Sequence, residues 1–231
     1  MLSDVEFEAL FLSLKVAGVA VAASLPFGVA LGWLLARKSF WGKSILETVV
    51  NLPLVLPPVV TGWGLLMLFG TQGVLGGILY EWLGIRIVFD WKGAALAAAV
   101  VGFPLLVRSV RLSISMVDRR YEEVARTLGA APLDVFFSVT LPLSRRGVVA
   151  GSVLAFARAM GEFGATIMIA GSIAGETRTI PLYVYQLLET PGGAEAAWRI
   201  VVVSVAIAAL ALIISEAFER RTIQELEGVR T

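Results

Sequence analysis

The sequence predicts an all-α integral membrane protein with about five transmembrane helices, and three observations carry that prediction. Of 231 residues, 58% are hydrophobic and only 16% charged, against roughly 25% charged in an average soluble domain, and mean hydropathy is +0.84. The apolar residues gather in long runs, each close to the ~20 helical residues that cross a hydrocarbon core. Lys and Arg are distributed unequally over the polar segments between those runs. A single transmembrane domain over 1–231 is expected, with spans at about 10–36, 45–69, 93–112, 147–171 and 198–218 and a polar loop at 117–146.

The first span follows an acidic leader carrying Asp4, Glu6 and Glu8. Ala20-Val21-Ala22 resembles a signal-peptidase site, but a signal peptide needs a basic leader and an apolar stretch of about 7–15 residues. The leader here is acidic and the run is longer, so a retained span is expected. Arg37, Lys38 and Lys43 form a basic loop before the second span, which contains Pro53, Pro57 and Pro58. Proline removes a donor and clashes with the preceding turn, so this span is expected to kink or open locally. Lipid cannot satisfy the freed carbonyls, so that face must be covered by protein or line a water-filled path. Thr61 follows directly.

Gly76–Leu83, which carries Tyr80 and Trp82, reads as a short interfacial helix. The third span contains Pro104 and ends with Arg108 and Arg111, whose stems reach back to the surface. In the fourth span Arg158 and Glu162 stand at i and i+4, a spacing that lets them pair on one helix face. Two readings stand: mutual neutralisation that fixes packing, or guidance of an anion at membrane depth. After the fifth span a charged tail begins at Glu219, Arg220 and Arg221, with no room expected for a further domain.

Counting cations by side sets the orientation. Thirteen fall on the side of the 117–146 loop: Arg37, Lys38, Lys43, Arg108, Arg111, Arg119, Arg120, Arg126, Arg145, Arg146, Arg220, Arg221 and Arg230. Four, Arg86, Lys92, Arg178 and Arg199, fall on the other, and Lys15 and Arg158 lie in spans. The positive-inside rule puts the loop in the cytoplasm, the N-terminus outside and the C-terminus inside.

The chain has no Cys and no His, which removes thiol and imidazole chemistry and most zinc sites. A net charge of +1 makes no case for nucleic acid. Gly42-Lys43-Ser44 resembles the end of a phosphate-binding loop, but the required earlier glycine is Arg37. Glu122 and Glu123 are adjacent, so on a helix they point about 100° apart and do not converge on one substrate. No catalytic residue, metal site or cofactor is therefore expected on this chain.

Within the loop, Val117–Leu128 reads as a helix capped by Asp118, and Gly129 suits the left-handed residue that ends it. Leu133–Val139 reads as a second short helix presenting Val135 and Phe136 as an exposed apolar face, with Leu141-Pro142 expected to stop it. An apolar tip on a charged hairpin points to docking on another protein.

Glu123-Val124-Ala125, Gly129 and Val139-x-Leu141-Pro142 together resemble the signature E-A-A-x3-G-x9-I-x-L-P of type I ABC importer permeases. Only Val124 and Val139 depart from it, and both stay apolar. The resemblance implies a coupling helix seated in a cleft of a separate ATPase subunit, with Glu123, Val124, Ala125, Gly129, Val135, Phe136, Leu141 and Pro142 at the contact. It also implies a homodimer of this chain, two ATPase subunits that bind ATP and Mg, and an extracytoplasmic binding protein. LSLKVAGVAVAASLPFGVALGWLLAR, NLPLVLPPVVTGW and GEFGATIMIAGSIAGETRTIPLYVY are similar to the molybdate branch of that family. Sulfate permeases usually carry Tyr and Ser-Val where this chain has Phe163-Gly164-Ala165-Thr166. The resemblance thus implies a multi-pass permease of a prokaryotic cell membrane carrying molybdate and the nearly isosteric tungstate. Sulfate is the alternative substrate. A stand-alone secondary transporter often shows inverted repeats, and none is visible. The expected pathway residues are Pro57, Pro58, Thr61, Arg158, Glu162 and Thr166.

Overall fold

The computed structural model describes residues 3–228; of the cations counted above, Arg230 and the side chains of Arg220 and Arg221 lie outside the described residues. Helix α1 (Asp4–Arg37) starts earlier than the apolar run because its leader is a capping box. Glu6 N–H donates to the Ser3 hydroxyl at 3.3 Å, and Ser3 N–H donates to the Glu6 carboxylate at 2.6 Å. Pro26 lies inside α1 without ending it.

The second span is more than kinked. It divides into α2 (Lys43–Val55) and α3 (Pro58–Phe69), with a bend of 113° between them. Leu56, directly before Pro57, is extended with ψ 142°, the conformation that a following proline favours. Pro58 takes the first position of α3, where a missing N–H costs nothing. The paired prolines therefore close one helix and open the next.

The short helix α4 (Val74–Leu83) ends at Gly84. Asp90 then caps α5 (Trp91–Met116) by accepting from Lys92 N–H at 2.9 Å. The polar loop folds as α6 (Arg119–Thr127), α7 (Pro132–Val135) and a π-helical turn (Phe136–Thr140). That turn runs into α8 (Leu141–Met160), and α9 (Gly164–Ala170) follows after a 65° bend. α10 (Ile180–Leu188) and α11 (Gly193–Gly228) complete the described chain, in which no strand occurs. Helices α1, α5 and the Gly193–Leu210 part of α11 are each long and apolar enough to cross a membrane. The two bent pairs, if each is one span, raise the number to five.

Helix α5 is the most buried of these and packs between α1 and α8. Membrane helices gain no hydrophobic drive from meeting one another, so close backbone approach and polar ties must hold them. Gly28 and Gly32, four residues apart, face Leu106 and Val110 of α5. A Cβ on Gly32 would stand 2.6 Å from Val110 Cγ1 and 3.2 Å from the backbone N of Arg111. On the adjoining face of α5, Gly147 and Gly151 of α8 receive Ser113 and Ser109. Ser109 donates to the Gly147 carbonyl and Ser113 to the Ser144 carbonyl, each at 3.0 Å. At the leader end, Ile180 N–H donates to the buried Ser13 hydroxyl at 2.7 Å, and Arg199 approaches Glu6 at 3.5 Å. These contacts tie α1 to α10 and α11.

Gly32→Leu overfills the α1–α5 contact and should destabilise by roughly 1–3 kcal/mol. The check is thermal unfolding of the purified protein in detergent; an unchanged midpoint would mean the helices are not held this close.

Candidate functional site

The polar loop is built around a buried ion pair. Asp118 caps α6 by accepting from Arg120 N–H at 2.9 Å, and this cap sets Glu122 on the inward face of the helix. Glu122 Oε1 accepts from Arg37 Nε at 2.9 Å and from the Thr140 hydroxyl at 2.8 Å. Arg37 Nη2 also donates to the Val117 carbonyl at 2.9 Å. The Arg37 and Glu122 side chains are 7% and 8% exposed. The ion pair therefore joins the end of α1, the end of α5, α6 and the π-turn. In the sequence Arg37 reads as loop charge and Glu122 as half of an unproductive carboxylate pair. The partners are 85 residues apart, so no local spacing announces them.

Helix α6 ends as expected. Gly129 has φ +91°, Ala130 N–H donates to the Ala125 carbonyl at 3.1 Å and Gly129 N–H to Arg126 at 3.0 Å. This is a Schellman motif, which closes the last orphan carbonyls.

Two expectations about the second half of the loop are corrected. Val135 and Phe136 are not an exposed face: Val135 is 2% exposed, and Phe136 packs edge-on against Trp33 at 5.9 Å between centroids. The exposed apolar tip is formed instead by Leu128, Leu133 and Phe137, joined by Tyr121 and Val124 of α6. Nor does Leu141-Pro142 stop a helix. The π-turn carries Leu141 N–H to the Phe136 carbonyl, five residues back, and Pro142 then sits in the first turn of α8. The wider turn ahead of the proline removes the need for the donor it lacks, and such π-turns recur at functional sites. Of the remaining signature residues, Glu123 and Pro142 are exposed, and Ala125 and Leu141 half-buried.

The fourth span is also corrected. Helix α8 ends at Met160, so Glu162 lies in the break before α9 rather than on a continuous helix face. The ion pair nevertheless forms, with Arg158 Nη1 2.8 Å from Glu162 Oε2. Glu162 Oε1 accepts from Ala165 N–H at 2.8 Å, holding the first turn of α9. Glu162 is fully buried, whereas the Arg158 side chain is 31% exposed. The carboxylate is therefore spent on the break, and the cation keeps an open side.

The breaks of the second and fourth spans abut. A Cβ on Gly164 would stand 3.0 Å from Pro58 Cβ, and one on Gly62 would stand 2.6 Å from the backbone of Ala165. Pro57 is exposed and Pro58 half-buried at this junction. The Thr61 hydroxyl is buried there with no hydrogen-bond partner. Thr166 is buried within the subunit, so its side chain faces packed protein rather than open space.

Glu122→Ala should cost about 3–5 kcal/mol, because it strands a buried guanidinium, whereas the double variant Arg37→Met/Glu122→Leu should recover most of that loss. Thermal unfolding of the three proteins checks the prediction; equal midpoints would deny the pair its burial.

Comparison with known proteins places this geometry. Residues 28–224 match the family model described as binding-protein-dependent transport system inner membrane component. The chain is 53% identical over 216 residues to the molybdenum transport system permease protein ModB of Escherichia coli (strain K12), covering 94% of each chain. It is 38% identical over 217 residues to the sulfate transport system permease protein CysW of Synechocystis sp., covering 93% of this chain and 77% of that one. The fold is similar to that of a chain in the crystal structure of a bacterial alginate ABC transporter in complex with alginate pentasaccharide-bound periplasmic protein. The TM-score is 0.70 at 16% identity, over 95% of this chain and 80% of that chain. With its helical spans, its signature loop and a family match over most of its length, the chain belongs to the inner membrane components of binding-protein-dependent transport systems.

Proposed function

We propose that this chain is the permease subunit of an ATP-driven importer that carries molybdate, and with it tungstate, across the cytoplasmic membrane. The observation that carries the substrate is the 53% identity over 94% of the chain to a molybdenum permease, against 38% to a sulfate permease. In the proposed assembly two copies of the chain stand over two ATPase subunits, which bind ATP and Mg, and an extracytoplasmic protein delivers the anion. This chain supplies no ATP site; the complex hydrolyses ATP. The N-terminus lies outside, and the 117–146 loop and the C-terminus lie in the cytoplasm.

A dianion cannot enter hydrocarbon, so it needs a protein-lined path open to one side at a time. Glu123, Val124, Ala125, Gly129, Leu141 and Pro142, with the exposed Leu128, Leu133 and Phe137, form the proposed docking surface for the ATPase. Val135 and Phe136 support that surface from beneath. Closure of the ATPase pair moves the loop, and the Arg37–Glu122–Thr140 contacts carry the movement into α1, α5 and α8. The states differ in what the loop touches, which is the differential contact a switch requires. The path is proposed to pass the junction of the two broken spans, where Pro58 abuts Gly164 and Gly62 abuts Ala165, lined by Pro57, Pro58, Thr61 and the Arg158–Glu162 pair. Thr166 backs that junction from inside.

Reconstitution with a candidate ATPase and binding protein tests this reading. Molybdate uptake should require both partners and ATP, and sulfate at equal concentration should compete poorly. Uptake by the chain alone would sink it, and strong sulfate competition would move the substrate to sulfate.

The double variant Arg158→Gln/Glu162→Gln keeps an acceptor for Ala165 N–H while removing the cation. Uptake should fall about tenfold or more, the loss of a contact of at least ~1.4 kcal/mol, with Arg158→Lys close to wild type. Full uptake by the double variant would leave the pair a purely structural role.

A further inference from the structure

A polar cavity of about 150 Å³ opens between the end of α1 and α6, several times the room one water needs. At 100° per residue, the cavity residues Arg119, Glu122 and Arg126 lie on the opposite face of α6 from Tyr121, Val124 and Leu128, and Glu123 stands at the rim between the cavity and the proposed docking surface. The cavity is thus turned away from the apolar surface proposed to meet the ATPase. Arg37 and Lys38 close it from the α1 side.

Its charges do not balance. Four cations face two carboxylates, leaving a net of two positive charges. Arg37 and Glu122 satisfy each other at 2.9 Å. Among the described residues no carboxylate stands within ion-pair distance of Lys38, Arg119 or Arg126, and Glu123 alone opposes them in the cavity. Three like charges converging on one small space repel unless an anion completes the set.

The surroundings name the anion's chemistry. Lys38 Nζ lies 5.8 Å from the centre of the Trp33 ring, which also lines the cavity. Phe40 and Trp41 follow on the surface, and Trp41 is 96% exposed. Exposed aromatic side chains beside the end of a membrane helix sit at headgroup level, and basic pockets between helices on the cytoplasmic side take phospholipid headgroups. Arginine binds phosphate through paired donors, lysine as a point charge.

We propose that this cavity binds a phosphate group at the cytoplasmic membrane surface, held by Lys38, Arg119 and Arg126. An anionic phospholipid headgroup and free phosphate share that chemistry; the flanking aromatics favour the lipid. An occupied site would bridge α1 and α6, the same two elements that Arg37 and Glu122 join. The inference rests on the proposed orientation, but its test reads binding and not transport, so failure here leaves the uptake reading untouched.

The test uses the full chain in nanodiscs of phosphatidylcholine, of phosphatidylcholine with phosphatidylglycerol, and of phosphatidylcholine with added inorganic phosphate. Phosphatidylglycerol should raise the unfolding midpoint by about 2–4 °C, the shift that corresponds to roughly one kcal/mol for a chain of this size. Arg119→Gln/Arg126→Gln should abolish the shift, and Arg119→Lys/Arg126→Lys should retain most of it. Lys38→Gln, at a residue beyond the end of α1, gives a second reading should the double variant fold poorly, and should weaken the shift. A shift with inorganic phosphate alone would assign the site to a soluble phosphate. No shift with either, or one that the Gln variants keep, overturns the proposal. Loss of ATPase co-purification in those variants with the lipid shift intact also overturns it, since the cations would then belong to a protein partner.

Discussion

The buried contact between Arg37 and Glu122 is the interaction on which the placement of the whole polar loop depends. Two charges withdrawn from water repay their desolvation only when geometry and extra hydrogen bonds are good. Here the guanidinium also reaches the Val117 carbonyl and the carboxylate also accepts from Thr140. The pair thereby names which four elements must meet. A hydrophobic pair of similar volume could match its stability, but it would not demand that particular convergence. Stability is the smaller part of its work; register is the larger.

A second constraint comes from the membrane itself. Hydrocarbon offers no partner for a freed backbone group, so a helix break survives only where protein covers it. Among the described residues there are two such broken spans, at Leu56-Pro57 and at Gly161–Phe163, set against each other. Glycines at 62 and 164 permit the approach, and Glu162 satisfies one N–H of the second break. The arrangement leaves Arg158 as a cation with 31% of its side chain exposed beside irregular backbone. The same economy recurs at the polar loop, where satisfied Arg37 stands beside Lys38, Arg119 and Arg126, which have no carboxylate within ion-pair distance among the described residues.

Close packing does the rest. Glycines of α1 and α8 let both helices approach α5 closely, and at the α8 contact Ser109 and Ser113 add hydroxyl-to-carbonyl bonds. Many of the large apolar side chains are exposed at the periphery, among them Phe7, Phe11, Phe27 and Trp63. The exposed apolar tip of the loop stands apart from that periphery, on a segment otherwise charged.

Much was legible in the sequence because the signals are local. Hydropathy runs mark the spans, Asp118 and Gly129 mark both ends of α6, and paired prolines mark a broken second span. The signature loop and the family resemblance rest on spacing along one stretch of chain. What the sequence withheld is what depends on distance. Pro142 predicts a stop, but a π-turn before it absorbs the missing donor and lets one rod run from Pro132 to Met160. Val135 and Phe136 read as an exposed face because period alone cannot say which side another element covers; Trp33 of α1 covers it. Arg37 and Glu122 are ordinary surface charges in sequence and become a buried pair only when the chain returns after 85 residues. Local chemistry therefore determined which helices form and what kind of protein this is. Only tertiary packing decided which charges are spent on structure and which remain free to act.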